Sequence, residues 1–251
     1  MLKEIRELLI QSANFRLSDV DADNTFGKSR DDLELDLTKL RSLLADFQSN
    51  LFVEHKNSVL IVLQGMDTSG KDGTIKHVIS AFNPAWCNVV AFTQPTSQEL
   101  EHDFLWRIYK EVPAIGFVGV FNRSHYEDIV EARIQKLVSK SDLSKRYDQI
   151  NFFEKILTEN RIKIIKFFLH ISKQEQKKRL VERASDPAKR WKKDALDYKK
   201  RKKWGEYSEA YTDVITRCGI NHVPWYVIPS NKKWFRNWII AKIICETLKD
   251  L

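Results

Sequence analysis

Residues 59–74 read VLIVLQGMDTSGKDGT, an apolar β-type run that breaks into Gly65-Met66-Asp67-Thr68-Ser69-Gly70-Lys71-Asp72 and then into a helical pattern. Two glycines five apart, with a lysine directly after the second, have the spacing of a loop that cradles phosphate. Glycine lets the backbone turn its N–H groups inward, and a helix opening behind the loop adds its positive end. Gly65, Ser69, Gly70, Lys71, Asp72, Gly73 and Thr74 are therefore the candidate phosphate-site positions, with Lys71 holding phosphoryl oxygens as a point charge. Two positions depart from the usual pattern. Asp72 stands where Ser or Thr normally ligates Mg²⁺, and a carboxylate, Asp67, lies inside the loop itself. A carboxylate in an anion cradle is unfavourable unless a cation sits with it, so Asp67 is expected to ligate Mg²⁺.

Working outward, strand-like runs alternate with helical ones. Leu33 to Phe52 has helical spacing, 59–63 is a strand, and Lys71–Phe82 is a helix. A strand at 88–93 precedes Thr96-Ser97-Gln98-Glu99, which has the form of a capping box opening a helix to about Tyr109. AIGFVGVF (114–121) is apolar on both faces, as buried parallel strands are, and leads through Asn122–Asp128 into a helix to about Val138. A helix at 147–159, a strand at 161–171, a helix at 205–218, a strand at 223–229 and a closing amphipathic helix complete the pattern. Residues 1–31 read as an irregular arm. This alternation predicts an α/β fold in three layers, a parallel sheet covered on both faces, with ligands at the carboxyl ends of the strands. The glycine loop and Asn122–Asp128 both follow apolar strands and are expected on that rim.

The second rim motif carries its own chemistry. A neighbouring buried strand in such folds usually ends in an Asp that anchors the metal. Here that position is Asn122, with Glu127 and Asp128 one helical turn later, and one of these acids is expected to complete the metal site. Arg123 is placed to neutralise charge on a transferred phosphoryl group.

The totals exclude several classes. At 251 residues with 43% hydrophobic content the chain can bury one sizeable core, and a single domain over 1–251 is expected. No stretch approaches the apolar length of a membrane span, and the N-terminus lacks a signal-peptide pattern, so no membrane partner is expected. Cys87, Cys218 and Cys245 are few, distant and odd in number, which fits a reducing cytoplasm. The net charge of +8 is concentrated: fourteen Lys/Arg and five Asp/Glu lie between Lys173 and Lys203, so this segment alone carries +9. A polyanionic partner is implied. A solvated helix face and a nucleic-acid surface with interleaved Trp191, Tyr198 and Trp204 are alternatives, but the position after the fourth strand favours a mobile lid over a phosphate chain, spanning 173–204. Arg179, Arg183 and Arg190 are spaced to share a helix face, and Lys192 and Lys193 add to the lid's charge.

GMDTSGKDGTIKHV (65–78), FTQPTSQELEHDFLWR (92–107), FNRSHYEDI (121–129) and PWYVIPSNKKWFRNW (224–238), in that order, resemble the polyphosphate kinase 2 family. The likeness extends to the arm FRLSDVDADNTFGKS (15–29). The resemblance implies a P-loop kinase-like fold with a helical basic lid. It also implies Mg²⁺ dependence and phosphoryl transfer from inorganic polyphosphate to AMP or ADP, with ATP among the products. Carried over by position, Asp67, Lys71 and Arg123 are catalytic, and Arg179 and Arg183 are lid arginines on the polyphosphate. Many members carry Asp-Arg-Ser where this chain has Asn122-Arg123-Ser124, a variant that resembles the subgroup using both AMP and ADP. Asp128 is then the expected second metal ligand beside Asp67. Phe92, Pro95, Thr96, Asp103, Asn122 and Arg133 are expected near the acceptor nucleotide. A homo-oligomer is expected, and nucleic acid is not an expected partner. An ATP-dependent nucleoside-monophosphate kinase and a non-enzymatic RNA-binding protein remain the alternatives.

Overall fold

A computed structural model describes residues 3–10, 12–187, 195–219, 223–249 and 251. In chain order its elements are α1 (Lys3–Leu8), α2 (Arg30–Glu54), β1 (Ser58–Gln64), α3 (Lys71–His77), β2 (Cys87–Ala91), α4 (Ser97–Leu100), α5 (Trp106–Tyr109), β3 (Val118–Asn122), α6 (Glu127–Ile134), α7 (Lys140–Glu159), β4 (Ile162–His170), α8 (Lys173–Ser185), α9 (Ala195–Lys202), α10 (Trp204–Arg217), β5 (Trp225–Pro229) and α11 (Lys233–Leu248). The strands pair in the order β2-β3-β1-β4-β5, every pair parallel. The chain thus starts in the middle of the sheet, crosses to the edge as β2, returns as β3 and then builds β4 and β5 on the other side, which opens a crevice at the carboxyl end of β1. Leu63 is in register with Asn122 on β3 and with Phe167 on β4, so the glycine loop and the Asn122 turn leave the sheet side by side.

β1 is buried along its whole length because its two faces serve two cores. Val59, Ile61 and Leu63 pack with α2, α3 and α11 on one side. Leu60 and Val62 pack with α6, α7 and α10 on the other. The expected three-layer arrangement is what the chain forms. No helix of the described residues is long and apolar enough to cross a membrane, and the three cysteines are free thiols.

Several expected boundaries shift for identifiable reasons. The arm is not wholly irregular: α1 forms because Ile5 and Leu8, three residues apart, bury together, and Leu9 bridges to Tyr226 on β5. The helix expected over 71–82 stops at His77, whose carbonyl is taken by Arg41, and the chain continues as a 3-10 turn at Ile79–Ala81. The helix after Thr96 divides in two. Thr96 and Glu99 form the capping box of α4, but Asp103 Oδ1 accepts the Leu105 N–H at 3.0 Å and restarts the chain as α5. The strand expected from 114 begins only at Val118, after a turn at Gly116 (φ 84°), where a Cβ would meet His55 Nδ1 at 2.8 Å. Ser139 caps α7 seven residues ahead of the expected start, ending the stretch after α6.

Candidate active site

The glycine loop is shaped by left-handed backbone at Thr68 (φ 64°) and Gly70 (φ 115°) and by a close approach at Gly65, where a Cβ would lie 2.7 Å from the Leu169 carbonyl at the end of β4. Lys71 opens α3 and folds back across the loop, its Nζ donating to the carbonyls of Gly65 at 2.6 Å and Met66 at 3.3 Å. Burial pushes the ammonium down to about 8, helped by Arg123 and opposed by Asp67, Glu127 and Asp72. Around it, the hydroxyls of Thr68, Ser69 and Thr74 are buried with no hydrogen-bond partner among the described residues. Buried polar atoms are seldom left so, and three orphaned hydroxyls beside a lysine form a donor set that fits phosphate oxygens.

The turn after β3 faces this loop. Arg123 adopts a left-handed conformation (φ 65°), its N–H bonding back to the Leu63 carbonyl at 3.0 Å, and its Nη2 donates to Asp67 Oδ1 at 3.2 Å. Burial disfavours its charge, but Glu127 and Asp67 outweigh it and keep the guanidinium above its ordinary range. Asp67, Arg123, Glu127 and Glu131 line one cavity, closed on the lid side by Lys200 and Arg201. Lys200 Nζ reaches Glu131 at 2.6 Å, and the Tyr207 hydroxyl donates to the same carboxylate at 3.1 Å. Glu127 is raised by burial and partly pulled back by Arg123 and Lys71.

The structure separates the two acids expected beside Asp67. Asp128 does not line the cavity: its Oδ2 accepts from Arg107 Nη2 at 3.2 Å and its carbonyl from Arg146 at 2.6 Å. Burial raises this carboxyl, and Arg107 opposes the shift. On α6 the side chains of Glu127 and Glu131, four residues apart, share the face turned to the loop, whereas Asp128 is rotated by one position onto the next face. Glu131 and Lys200, which sequence reasoning passed over, were foreshadowed only by that i, i+4 pair of acids.

The two arginines expected on the lid take different positions. Arg179 is 6% exposed, and all five of its N–H donors are engaged: by Glu175 and by the carbonyls of Thr68, Ser69, Ser230 and Asn231. It clamps the glycine loop from behind and has no donor left for a phosphate. Arg183 pairs with Asp197 at 2.9 Å, joining α8 to α9. Lys192 and Lys193, with Arg190 and Trp191, lie outside the described residues.

A second group forms beside Asp128. Arg107, 7% exposed, donates to the Thr93 carbonyl at 2.9 Å, approaches Glu99 at 3.8 Å and lies 5.6 Å from the Phe92 ring centroid. Phe92 is itself buried, edge-on to Phe121 at 4.9 Å, so it is a wall of this group and not a free stacking surface. Thr96 and Asp103 are exposed in the connected segment and Pro95 is half-buried. Arg133 stands apart, paired with Asp213 on α10. Asn122 Nδ2 donates to Asp72 Oδ1 at 2.9 Å.

A glycine cradle at the switch point of a 2-3-1-4-5 parallel sheet, faced by an arginine and two acids, defines a P-loop protein of the kinase type. Residues 27–251 match the family model for Polyphosphate kinase 2 (PPK2), and the chain belongs to that family. It is 46% identical over 215 residues to an AMP/ADP-polyphosphate phosphotransferase of Meiothermus ruber, covering 86% of this chain and 80% of that one. It is 38% identical over 220 residues to an ADP-polyphosphate phosphotransferase of Rhodopseudomonas palustris, covering 83% and 76%. A crystal structure of polyphosphate kinase 2 from Arthrobacter aurescens superposes with a TM-score of 0.94 at 39% identity, over 97% of this chain and 88% of that one.

Proposed function

We propose that the protein is a polyphosphate-dependent nucleotide kinase that moves the terminal phosphoryl group of inorganic polyphosphate to AMP or ADP. The observation that carries this reading is the cradle itself: Lys71 and three buried hydroxyls without partners among the described residues share one loop with Asp67, whose carboxylate pairs with Arg123 at the rim of the sheet, and the chain's excess positive charge lies in the segment 173–203. Each polyphosphate unit carries about one charge, so a long chain matches a +9 segment better than a single nucleotide does.

In this reading Lys71 leaves its loop carbonyls to hold phosphoryl oxygens, and the hydroxyls of Ser69 and Thr74 donate to the same group. Arg123 neutralises charge on the transferred phosphoryl, which in a loose transition state spreads over its equatorial oxygens. Asp67 and Glu127 would hold Mg²⁺, which when bound neutralises phosphate charge. The group formed by Phe92, Pro95, Thr96, Asp103 and Arg107 borders the acceptor, with Asp128 orienting Arg107. Residues 173–204 act as a lid within a single domain, and Lys200 and Arg201 bring its charge to the cavity. A cytoplasmic location agrees with the free thiols. Assembly as a homo-oligomer agrees with the edge strand β2, whose Asn88, Val89 and Ala91 are exposed.

The test is purified protein with Mg²⁺, polyphosphate and either AMP or ADP, with nucleotide products followed over time, and a parallel arm in which ATP replaces polyphosphate as donor to AMP. Phosphorylation from polyphosphate is expected in the first arm. No product from either acceptor and no polyphosphate consumed would overturn the reading, and transfer only from ATP would replace it with a nucleoside-monophosphate kinase.

A further inference from the structure

Behind the cradle lies a cation that none of the roles above uses. Arg236, on α11, is 2% exposed. Its Nη2 and Nε donate to the amide oxygen of the adjacent Asn237 at 2.7 and 3.2 Å, and its Nη1 reaches the Ser69 carbonyl only at 3.5 Å. No ion pair among the described residues joins it to a carboxylate. The guanidinium lies against the loop backbone: a side chain at Gly70 would overlap it, and a Cβ at Gly73 would meet Nη2 at 2.9 Å. Arg179 reaches the same Ser69 carbonyl from α8, at 3.0 Å, but is balanced by Glu175. Burial, and then Arg179, push Arg236 down to about 9.

A buried charge without a counter-ion is costly, and replacing such a group by an apolar one of similar volume is commonly neutral or stabilising. Residues that lower stability in this way are retained where function needs them. What lies across the backbone from Arg236 is the cradle, where Ser69 Oγ and Thr74 Oγ1 are buried and without partners among the described residues. An anion held there would bring the missing negative charge to within a backbone's thickness of the guanidinium. Coulomb attraction over such a distance, out of water, is large enough to matter for binding.

We propose that Arg236 is the buried counter-charge for the anion in the glycine loop: an unpaired cation set behind Ser69-Gly70, whose cost to the ligand-free protein is offset when a phosphate chain occupies the cradle. The inference rests on the phosphate-cradle reading above. Arg236 touches no phosphate; it acts across the backbone of Ser69 and Gly70. It also explains the glycines at 70 and 73, since side chains there would displace it.

The experiment compares the wild type with Arg236→Met, which keeps the volume and removes the charge, and with Arg236→Lys, which keeps the charge. Inorganic tripolyphosphate is titrated calorimetrically without nucleotide, and melting temperatures are recorded with and without it. Arg236→Met should melt, ligand-free, at or above the wild-type temperature, yet bind tripolyphosphate on the order of tenfold more weakly and show a smaller ligand-induced rise. Arg236→Lys should keep most of the affinity. Wild type that binds no tripolyphosphate would sink the cradle reading and this inference with it. Wild type that binds, with Arg236→Met binding equally well, overturns the inference alone. An Arg236→Met protein that is destabilised or fails to fold also overturns it, because the charge would then be stabilising the empty fold. Equal loss in the Met and Lys variants would show that shape, not charge, is the agent.

Discussion

Asn122 donates its amide to the Asp72 carboxylate at 2.9 Å, so a departure from the usual phosphate-loop pattern and a departure at the neighbouring strand end meet each other in space. One stands where the loop normally has a hydroxyl, the other where the neighbouring strand normally has an acid. Two carboxylates at this separation would repel, whereas an amide and a carboxylate form a tether between the end of β3 and the first turn of α3. Asn122→Asp should therefore lower stability by about 1 kcal/mol in metal-free buffer, and adding Asp72→Asn should recover most of it. Urea unfolding of the two single variants and the double variant checks this; simple additivity would show that the pair is not coupled.

The cavity separates Glu127 from its neighbour Asp128 on α6. Asp67→Asn and Glu127→Gln are each expected to lower kcat by roughly 10² or more, the scale for removing a group that manages charge in a transition state. Asp128→Asn should leave kcat within about tenfold and raise KM for the nucleotide instead, because its partner is Arg107. The opposite ranking, with Asp128 outweighing Glu127, would restore the assignment made from sequence. Steady-state kinetics at saturating Mg²⁺ decides it.

Lys71 predicts a pH dependence. Its folded value of about 8 lies below the ordinary lysine value of 10.5. Below pH 8 both folded and unfolded chains hold the proton, and the cost of burying the charge is fully present. Between about 8 and 10.5 the unfolded chain holds more protons, so this lysine makes the ligand-free protein more stable as pH rises through that window. Phosphate binding needs the charged form and should weaken above pH 8. Tripolyphosphate affinity measured against pH should show this step in the wild type and lose it in Lys71→Arg, whose guanidinium stays charged.

Beneath the rim turn, Lys166 on β4 and Glu154 on α7 form a buried pair at 2.6 Å, completed by the Tyr126 hydroxyl and the Cys218 carbonyl. Lys166→Met alone should cost about 3–5 kcal/mol by leaving Glu154 uncompensated. Combining it with Glu154→Leu should return a large part of that loss. If denaturant midpoints show the double variant to be as unstable as the single one, the pair is held by packing and not by charge balance.

Much of this was legible in the residues. The 59–74 run carries its strand, its turn and its lysine within sixteen consecutive positions, and local spacing is enough to read such a unit. The parallel sheet followed from apolar runs at 59–63, 114–121 and 161–171. Boundaries were read less well where the deciding partner is remote, as with Arg41 on His77, or where a single turn residue intervenes, as with Asp103. The surroundings of Arg179 and Arg133 were hidden for a related reason. A charge run announces cations but not which of them point inward, and Arg179 is buried behind the loop that it was expected to cover.

The sequence by itself determined the cradle, the layer order and the concentration of positive charge, because each is encoded within a short stretch of chain. Tertiary structure alone decided that Glu127 and not Asp128 lines the cavity with Asp67, that Asn122 meets Asp72, and that Arg236 lies beneath Gly70 with no carboxylate partner among the described residues. Those relations join residues from 50 to 166 positions apart. They depend on helix rotation and on the close packing of α6, α8 and α11 against the loop, which no local pattern specifies.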